Sequence, residues 1–222
     1  MRLFIAVPIP EYVAVELHKA QAILKQFSVH QSFPSEFHVT LAFFGDVSEV
    51  RAEQVKKQLK SVHFSGFTAQ LSSVGCFPNA SNPRVVWIGL EPQASWQALH
   101  EKIMHALEKV SEEKFVAHVT LSRVKTNTVE IAAMLSKLVI PSLFFDVSEV
   151  LLMQSVITGR SAQHTVLDRF VVEKRKPVAG LFGALHLTDD EKKQARKRMQ
   201  EFHDSFEADI SKKIMGIRKR VS

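Results

Sequence analysis

The chain has 222 residues, of which 45 % are apolar and 23 % are charged, a balance typical of a globular protein with a substantial core. Its single cysteine, Cys76, excludes an internal disulfide framework and a cysteine-rich zinc site, and fits a reducing cytoplasm. No apolar run reaches the roughly 18 residues that a membrane-spanning helix needs. The formal net charge of +6 is compatible with a polyanionic partner.

Hydrophobic periodicity predicts short strands and helices that recur in the same order. The first set is strand 2–7, helix 11–27, strand 36–44, helix 49–61 and one or two strands in 64–76. The second set is strand 84–90, helix 94–110, strand 115–123, helix 128–138, a long strand 143–157 and a last strand 164–173. We interpret residues 1–175 as two homologous lobes, about 1–80 and 81–175, between which strands are free to exchange. The predicted class is α+β, with two antiparallel or mixed sheets facing a central cleft and helices outside.

Residues 176–222 differ in composition from this body, since they hold 11 Lys or Arg and 7 Asp or Glu. Thr188 begins a capping-box spacing, and a period of three or four residues then predicts a basic amphipathic C-terminal helix. Its apolar positions are Ala195, Met199, Phe202, Phe206, Ile210, Ile214 and Ile217. Packing on the body or self-association with a second copy, binding of RNA phosphates, and contact with a membrane surface stay open as roles. The scattered acidic residues argue against a membrane, so no membrane partner is expected.

The two sets share a tetrapeptide, His38-Val39-Thr40-Leu41 in the third element of the first and His118-Val119-Thr120-Leu121 in the third element of the second. Each histidine follows the start of its leading strand at nearly the same distance. Because alternate side chains of a strand point to opposite faces, each histidine shares a face with its threonine. Pseudo-twofold symmetry then predicts two His-Thr pairs on opposite walls of one groove.

Two facing imidazoles near neutral pH are able to act as a general base and a general acid. Thr40 and Thr120 hydroxyls suit the non-bridging oxygens of one phosphate, and Arg123 would add charge-assisted bonds. Arg123 lies five residues after His118, so it reaches the same face only if the strand ends or bulges before it. Phe43, at the same offset in the first motif, is interpreted as core.

Other chemistries find less support in the sequence. Two histidines would need a third ligand to hold zinc, and only Glu36 lies near either motif. Neither a Gly-x-Ser-x-Gly elbow nor a glycine-rich phosphate loop is present. We therefore expect no metal and no cofactor. For either motif taken alone, a hydrogen-bonded structural histidine remains the alternative, and the other eight histidines show no comparable pairing.

The stretches that carry these motifs resemble the two-histidine (2H) phosphoesterase superfamily, in the branch of LigT-type RNA 2′,3′-cyclic phosphodiesterases, the 2′-5′ RNA ligase family. The matching stretches are 2–10, 38–46, 84–90 and 118–123, within a resemblance that covers about residues 1–173. The resemblance implies a bilobal α+β fold without a metal, and hydrolysis of RNA 2′,3′-cyclic phosphate ends to 2′-phosphates. It also implies that His38 donates a proton to the departing 3′ oxygen, that His118 accepts one from water, and that Arg123 binds substrate.

The family often has a tyrosine in its last strands, where this chain has His164. Two other functions stay open: cleavage or ligation of 2′-5′ phosphodiesters by the same chemistry, and a non-catalytic module that binds RNA ends.

Overall fold

The structure, a computed structural model, describes residues 1–79, 82–109, 114–125, 131–158 and 161–171. They belong to one compact unit, Met1–Lys176. Its elements are β1 (Arg2–Pro8), α1 (Glu11–Leu24), β2 (Gln31–Ser32), β3 (His38–Asp46), α2 (Glu49–Leu59), β4 (Phe67–Phe77), β5 (Val85–Glu91), α3 (Gln93–Ala106), β6 (His118–Val124), α4 (Ile131–Ser136), β7 (Phe144–Val147), β8 (Glu149–Thr158) and β9 (Ser161–Val171). The C-terminal helix predicted in 176–222 lies outside the described residues.

Local signals place the helix starts. Pro10 and Pro92 stand immediately before α1 and α3, where the fixed φ of proline suits the entry into a helix. Ser48 caps α2, since its hydroxyl accepts a hydrogen bond of 3.2 Å from the Arg51 backbone N–H. None of the helices in the described ranges is both long and apolar enough to cross a bilayer.

The predicted long strand 143–157 is two strands. β7 pairs with β4 and β8 pairs with β1, so the chain changes partner between them. A run of apolar residues predicts extended backbone, but the pairing partner depends on long-range contacts that the run does not contain. β2, only two residues long, was not predicted, and it pairs with β6.

The strands form one antiparallel sheet in the order β7-β4-β5-β6-β3-β1-β8-β9, with β2 also on β6. The prediction of two separate sheets is therefore wrong. The two halves meet where Val39 of β3 pairs with Val119 of β6. The contact between the two strands is this single residue pair, and β2 pairs with Arg123 and Val124 farther along β6.

The strand order is symmetric about the β3–β6 junction. β1 and β5 flank it, β8 and β4 come next, and β9 and β7 lie outermost. β4 comes from the first set of elements but pairs with β5, whereas β8 comes from the second set and pairs with β1. The half with β3 and β1 thus takes β8 and β9 from the second set, and the half with β6 and β5 takes β4 from the first.

The main core lies between the helices and one face of this sheet. Leu3, Ile5 and Val7 of β1 belong to it, together with apolar residues of α1 and α3 such as Leu17 and Trp96. The alternate residues of β1 point to the other face, where a smaller cluster contains Phe4, Ala6, Leu151 and Met153. The histidine motifs share that second face, which the helices leave uncovered.

Candidate active site

The β3–β6 junction brings the two motifs together. Val39 and Val119 are opposite each other and fully buried, so their side chains point into the helix-covered core. Because an antiparallel register continues in opposite directions along the two strands, His38 falls next to Thr120, and Thr40 next to His118. All four of these side chains are half-buried and share the other face. The two predicted His-Thr pairs therefore form one cluster astride the junction.

A bulge in β6 brings Arg123 to the same face. The register against β5 shifts between Thr120 and Ser122, which leaves Leu121 as an extra residue. Leu121 and Ser122 are both fully buried, and Arg123 after them is exposed. The alternation of the strand is inverted at this point, so Arg123 lies on the face of the histidines. The bulge that its role requires is present.

The same irregularity occurs in β3. The register against β1 shifts between Thr40 and Ala42, so that Leu41 is the extra residue. The prediction that Phe43 belongs to the core is wrong, because the bulge turns its ring to the cluster's face, where it is 54 % exposed. Phe43 and Arg123 thus occupy corresponding positions on the two sides of the junction.

A third histidine lies against the cluster. The ring centroid of His164 is 5.2 Å from that of His38, with the two rings perpendicular, and both rings contact Phe4 at 5.0–5.1 Å. Strand β9 places His164 by pairing it with Ser155 of β8. Sequence reasoning grouped it with the unpaired histidines, because it belongs to no repeated motif, and only its departure from the family's tyrosine set it apart.

The backbone just before β6 fixes the orientation of the His118 ring. Its Nδ1 lies 2.8 Å from the Val116 carbonyl oxygen, which only accepts hydrogen bonds, so Nδ1 carries the hydrogen and the neutral ring offers its Nε2 lone pair. Phe77 meets the imidazole edge-on at 5.0 Å, and the Trp87 ring lies at 6.0 Å. Trp87 in turn lies across Gly75, where an added Cβ would overlap the indole.

The electrostatics of the cluster disfavour imidazolium. Burial lowers the pKa of His38 to about 4, with further lowering by positive charge on His164, Arg123 and His118. Burial also lowers the pKa of His118, while its bond to Val116 opposes that shift and Arg123 adds to it. Because the surroundings of these histidines disfavour their protonated forms, a bound anion would stabilise those forms.

His164 follows the same rule, since burial lowers its pKa and Arg123 adds to the effect. The nearby Glu36 carboxylate acts in the opposite sense on His164. Glu36 was the nearest candidate for a third metal ligand. Within the described ranges, no set of three His, Cys, Asp or Glu side chains is placed to hold a metal ion.

Known proteins are similar to this chain in sequence and in fold. Residues 10–156, more than half of the chain, match the family profile described as the 2′-5′ RNA ligase superfamily. The chain belongs to that superfamily. A curated relative from Archaeoglobus fulgidus, named RNA 2′,3′-cyclic phosphodiesterase, is 33 % identical over 72 % of this chain and 94 % of its own length. The family resemblance predicted from the two motifs is thereby confirmed.

Solved structures of similar proteins support the fold of this superfamily member. A protein of Thermus thermophilus is 25 % identical with a TM-score of 0.64, covering 79 % of this chain and 100 % of its own. Escherichia coli LigT in complex with phosphate is 25 % identical with a TM-score of 0.59, covering 78 % of this chain and 98 % of its own. The α+β class with one antiparallel sheet is therefore the architecture of this chain.

Proposed function

We propose that this superfamily member hydrolyses RNA 2′,3′-cyclic phosphate ends to 2′-phosphates, with His38 and His118 as its acid–base pair. The protein is an RNA 2′,3′-cyclic phosphodiesterase by family and by its curated relative, and RNA is its substrate class. The observation that supports the proposed site is the Val39–Val119 pairing, which makes the two motif strands neighbours in the sheet. A single phosphate placed over that junction would lie between the two imidazoles.

The reaction requires one proton to be taken up and one to be delivered. Nε2 of His118 removes a proton from water as the water oxygen bonds to phosphorus. The bond from phosphorus to the 3′ oxygen breaks, and His38 gives its proton to that oxygen, which leaves a 2′-phosphate and a 3′-hydroxyl. The bond from His118 Nδ1–H to the Val116 carbonyl supports this order, because it leaves Nε2 as the acceptor.

His38 must carry a proton before it is able to donate one. With its pKa at about 4, the ring is neutral at neutral pH in the free protein. A cyclic phosphate carries a negative charge, and a nearby opposite charge raises the pKa of an imidazole. Substrate binding therefore raises the pKa of His38 and favours the protonated form that the proton transfer needs.

Thr40, Thr120 and Arg123 supply the remaining contacts in this scheme. The two hydroxyls lie beside the histidines on the same face and donate to the non-bridging phosphate oxygens. The guanidinium of Arg123, exposed on that face, compensates the charge that builds up on those oxygens in the transition state. The acid–base pair and these donors do their work without a metal or a cofactor.

The experiment is hydrolysis of an oligonucleotide with a 2′,3′-cyclic phosphate end by His38→Ala and His118→Ala. Each variant should lose roughly 10²- to 10⁴-fold in kcat, the typical contribution of a general acid or base. His105→Ala is the matched control, since His105 is exposed on α3, which packs on the opposite face. Full activity in either motif variant would overturn the proposal. Product analysis with defined ends separates hydrolysis from joining of 2′-5′ bonds.

Metal dependence is tested in the same assay. Turnover should persist in excess EDTA, because every step above uses protein side chains and water. If EDTA abolishes activity and an added divalent cation restores it, the mechanism is wrong while the enzyme class stands.

We further propose the organisation predicted from the sequence, with residues 1–175 as a cytoplasmic catalytic domain of two related lobes, about 1–80 and 81–175. The symmetric strand order and the matching bulges in β3 and β6 support the relation between the lobes. Residues 176–222 form a separate basic extension for self-association or RNA binding. A chain truncated after Val172 should keep catalysis but change its oligomeric state or its RNA affinity. If neither changes, both roles of the extension are wrong.

A further inference from the structure

Gln21 is a buried polar residue on α1, only 2 % exposed, and its amide is fully bonded. Its Nε2 donates to the Leu121 carbonyl oxygen at 3.0 Å and to the Pro34 carbonyl oxygen at 2.9 Å. Its Oε1 accepts a hydrogen bond from His18 Nδ1 at 3.1 Å. Both hydrogens of one amide thus go to backbone oxygens, and one of these lies 100 residues away in the chain.

The Leu121 carbonyl belongs to the bulge residue of β6. A bulge disrupts the ladder of backbone hydrogen bonds locally, and a buried carbonyl needs a donor. Gln21 supplies that donor from the helix-covered side of the sheet. The bulge inverts the strand's alternation, and that inversion puts Arg123 on the face of His118. Gln21 and Arg123 are therefore connected through Leu121, although they lie on opposite faces.

The other half of the sheet contains the same arrangement. His100 on α3 is 7 % exposed, and its Nδ1 donates to the Leu41 carbonyl oxygen at 2.9 Å. Leu41 is the bulge residue of β3, and its bulge turns Phe43 to the site. A buried polar side chain from a helix thus supports the bulge residue in each motif strand. Because this arrangement occurs in both strands, we infer that the side-chain hydrogen bonds stabilise the bulges.

We propose that Gln21 is a positioning residue for Arg123, which fixes the Leu121 bulge and so holds the guanidinium at the phosphate site. Without a donor for the Leu121 carbonyl, β6 lowers its free energy by returning to regular backbone pairing, which removes the bulge. A one-residue change of register sends every following side chain to the opposite face. This inference rests on the role proposed above for Arg123, and it predicts that the kinetic effect of losing Gln21 requires Arg123 to be present.

The test is a double-mutant cycle of Gln21→Met and Arg123→Met on the 2′,3′-cyclic phosphate substrate. Methionine keeps the length and helix preference of glutamine but donates no hydrogen bond. Gln21→Met alone should lower kcat/KM by about 10- to 100-fold, the scale of a misplaced catalytic group. In the Arg123→Met background it should cause no further loss in kcat/KM, while it lowers the melting temperature equally in both backgrounds. A purely structural role would not produce that split between activity and stability.

Two further variants keep the test decisive. Gln21→Asn retains an amide that is too short to reach both carbonyls, and it should show a smaller, equally Arg123-dependent loss if Gln21→Met does not fold. Val55→Ala is the stability control. Val55 is a fully buried residue of α2, and its replacement should lower the melting temperature with kcat/KM unchanged.

The outcomes separate this inference from the proposed function. If Arg123→Met retains wild-type kcat/KM, the proposed role of Arg123 fails and the inference fails with it. If Arg123→Met loses activity, but Gln21→Met has no effect or the same effect in both backgrounds, only the positioning role is overturned.

Discussion

The two motif strands share a sequence motif and a bulge but differ in what surrounds them. β3 and β6 share the sequence His-Val-Thr-Leu, the same order of buried and exposed positions, and a bulge at the leucine. The two histidines are nonetheless in unlike surroundings. His38 packs against Phe4 and His164, whereas His118 donates to a backbone carbonyl and faces Phe77. The repeated motif thus provides two identical histidines, and their different neighbours give them different environments.

The difference extends to the position after each bulge. Phe43 in β3 and Arg123 in β6 both point to the site, so one side of the junction has an aromatic ring and the other a cation. Arg2 lies over the Phe43 ring at 5.6 Å. The symmetric strand order therefore presents different side chains on the two sides of the junction.

Exchanging the residues at positions 123 and 43 is expected to have the largest effect on catalysis. Arg123→Phe should lose roughly 10²- to 10³-fold in kcat, as removal of a transition-state donor does. Adding Phe43→Arg should recover about tenfold, because an arginine at position 43 would supply positive charge to the proposed phosphate site from the other motif strand. Steady-state kinetics on the cyclic phosphate substrate measures both steps.

The folded state of each variant is checked by its melting temperature. A double variant no better than Arg123→Phe alone would mean that position 43 does not face the phosphate.

The depressed pKa of His38 makes stability depend on pH. The unfolded chain binds a proton at His38 near pH 6.5 and the folded protein only near pH 4, so unfolding is favoured as pH falls through that interval. The full difference corresponds to about 3 kcal/mol in the free energy of unfolding. Denaturant unfolding in phosphate-free buffer at pH 7 and pH 4 should show a smaller loss for His38→Phe than for the wild type. Equal losses would show that the ring is not titrating in this way.

The smallest expected effect concerns His164. His164→Phe keeps a ring against Phe4 and His38 but removes a positive charge that lowers the pKa of His38, so that pKa should rise. NMR titration of the His38 ring measures the shift directly. His105→Phe serves as the exposed comparison. A His38 pKa that is unchanged or lower would remove His164 from the site's electrostatics.

Local patterns in the sequence predicted most of the helices and strands, though not β2 or the division between β7 and β8, and they identified the two His-Thr motifs. The period of two within His38-Val39-Thr40 predicts that histidine and threonine share a face, because this depends only on the geometry of one strand. The repetition of the motif at a matching position predicted that the two pairs belong together, and the superfamily resemblance followed from the same residues. The conditional requirement for a bulge before Arg123 was also a local argument, and the bulge is present.

Long-range pairing decided the rest. The union of two expected sheets into one, the face on which Phe43 lies, and the contact of His164 with His38 all depend on register between strands far apart in the chain. One residue of register inverts a strand's faces, and no pattern within that strand reports it. Sequence by itself determined which side chains are the candidates for the proposed chemistry. Only the tertiary structure decided how they meet, because hydrogen bonds such as those from Gln21 and His100 to two bulge carbonyls form between segments that the chain keeps apart.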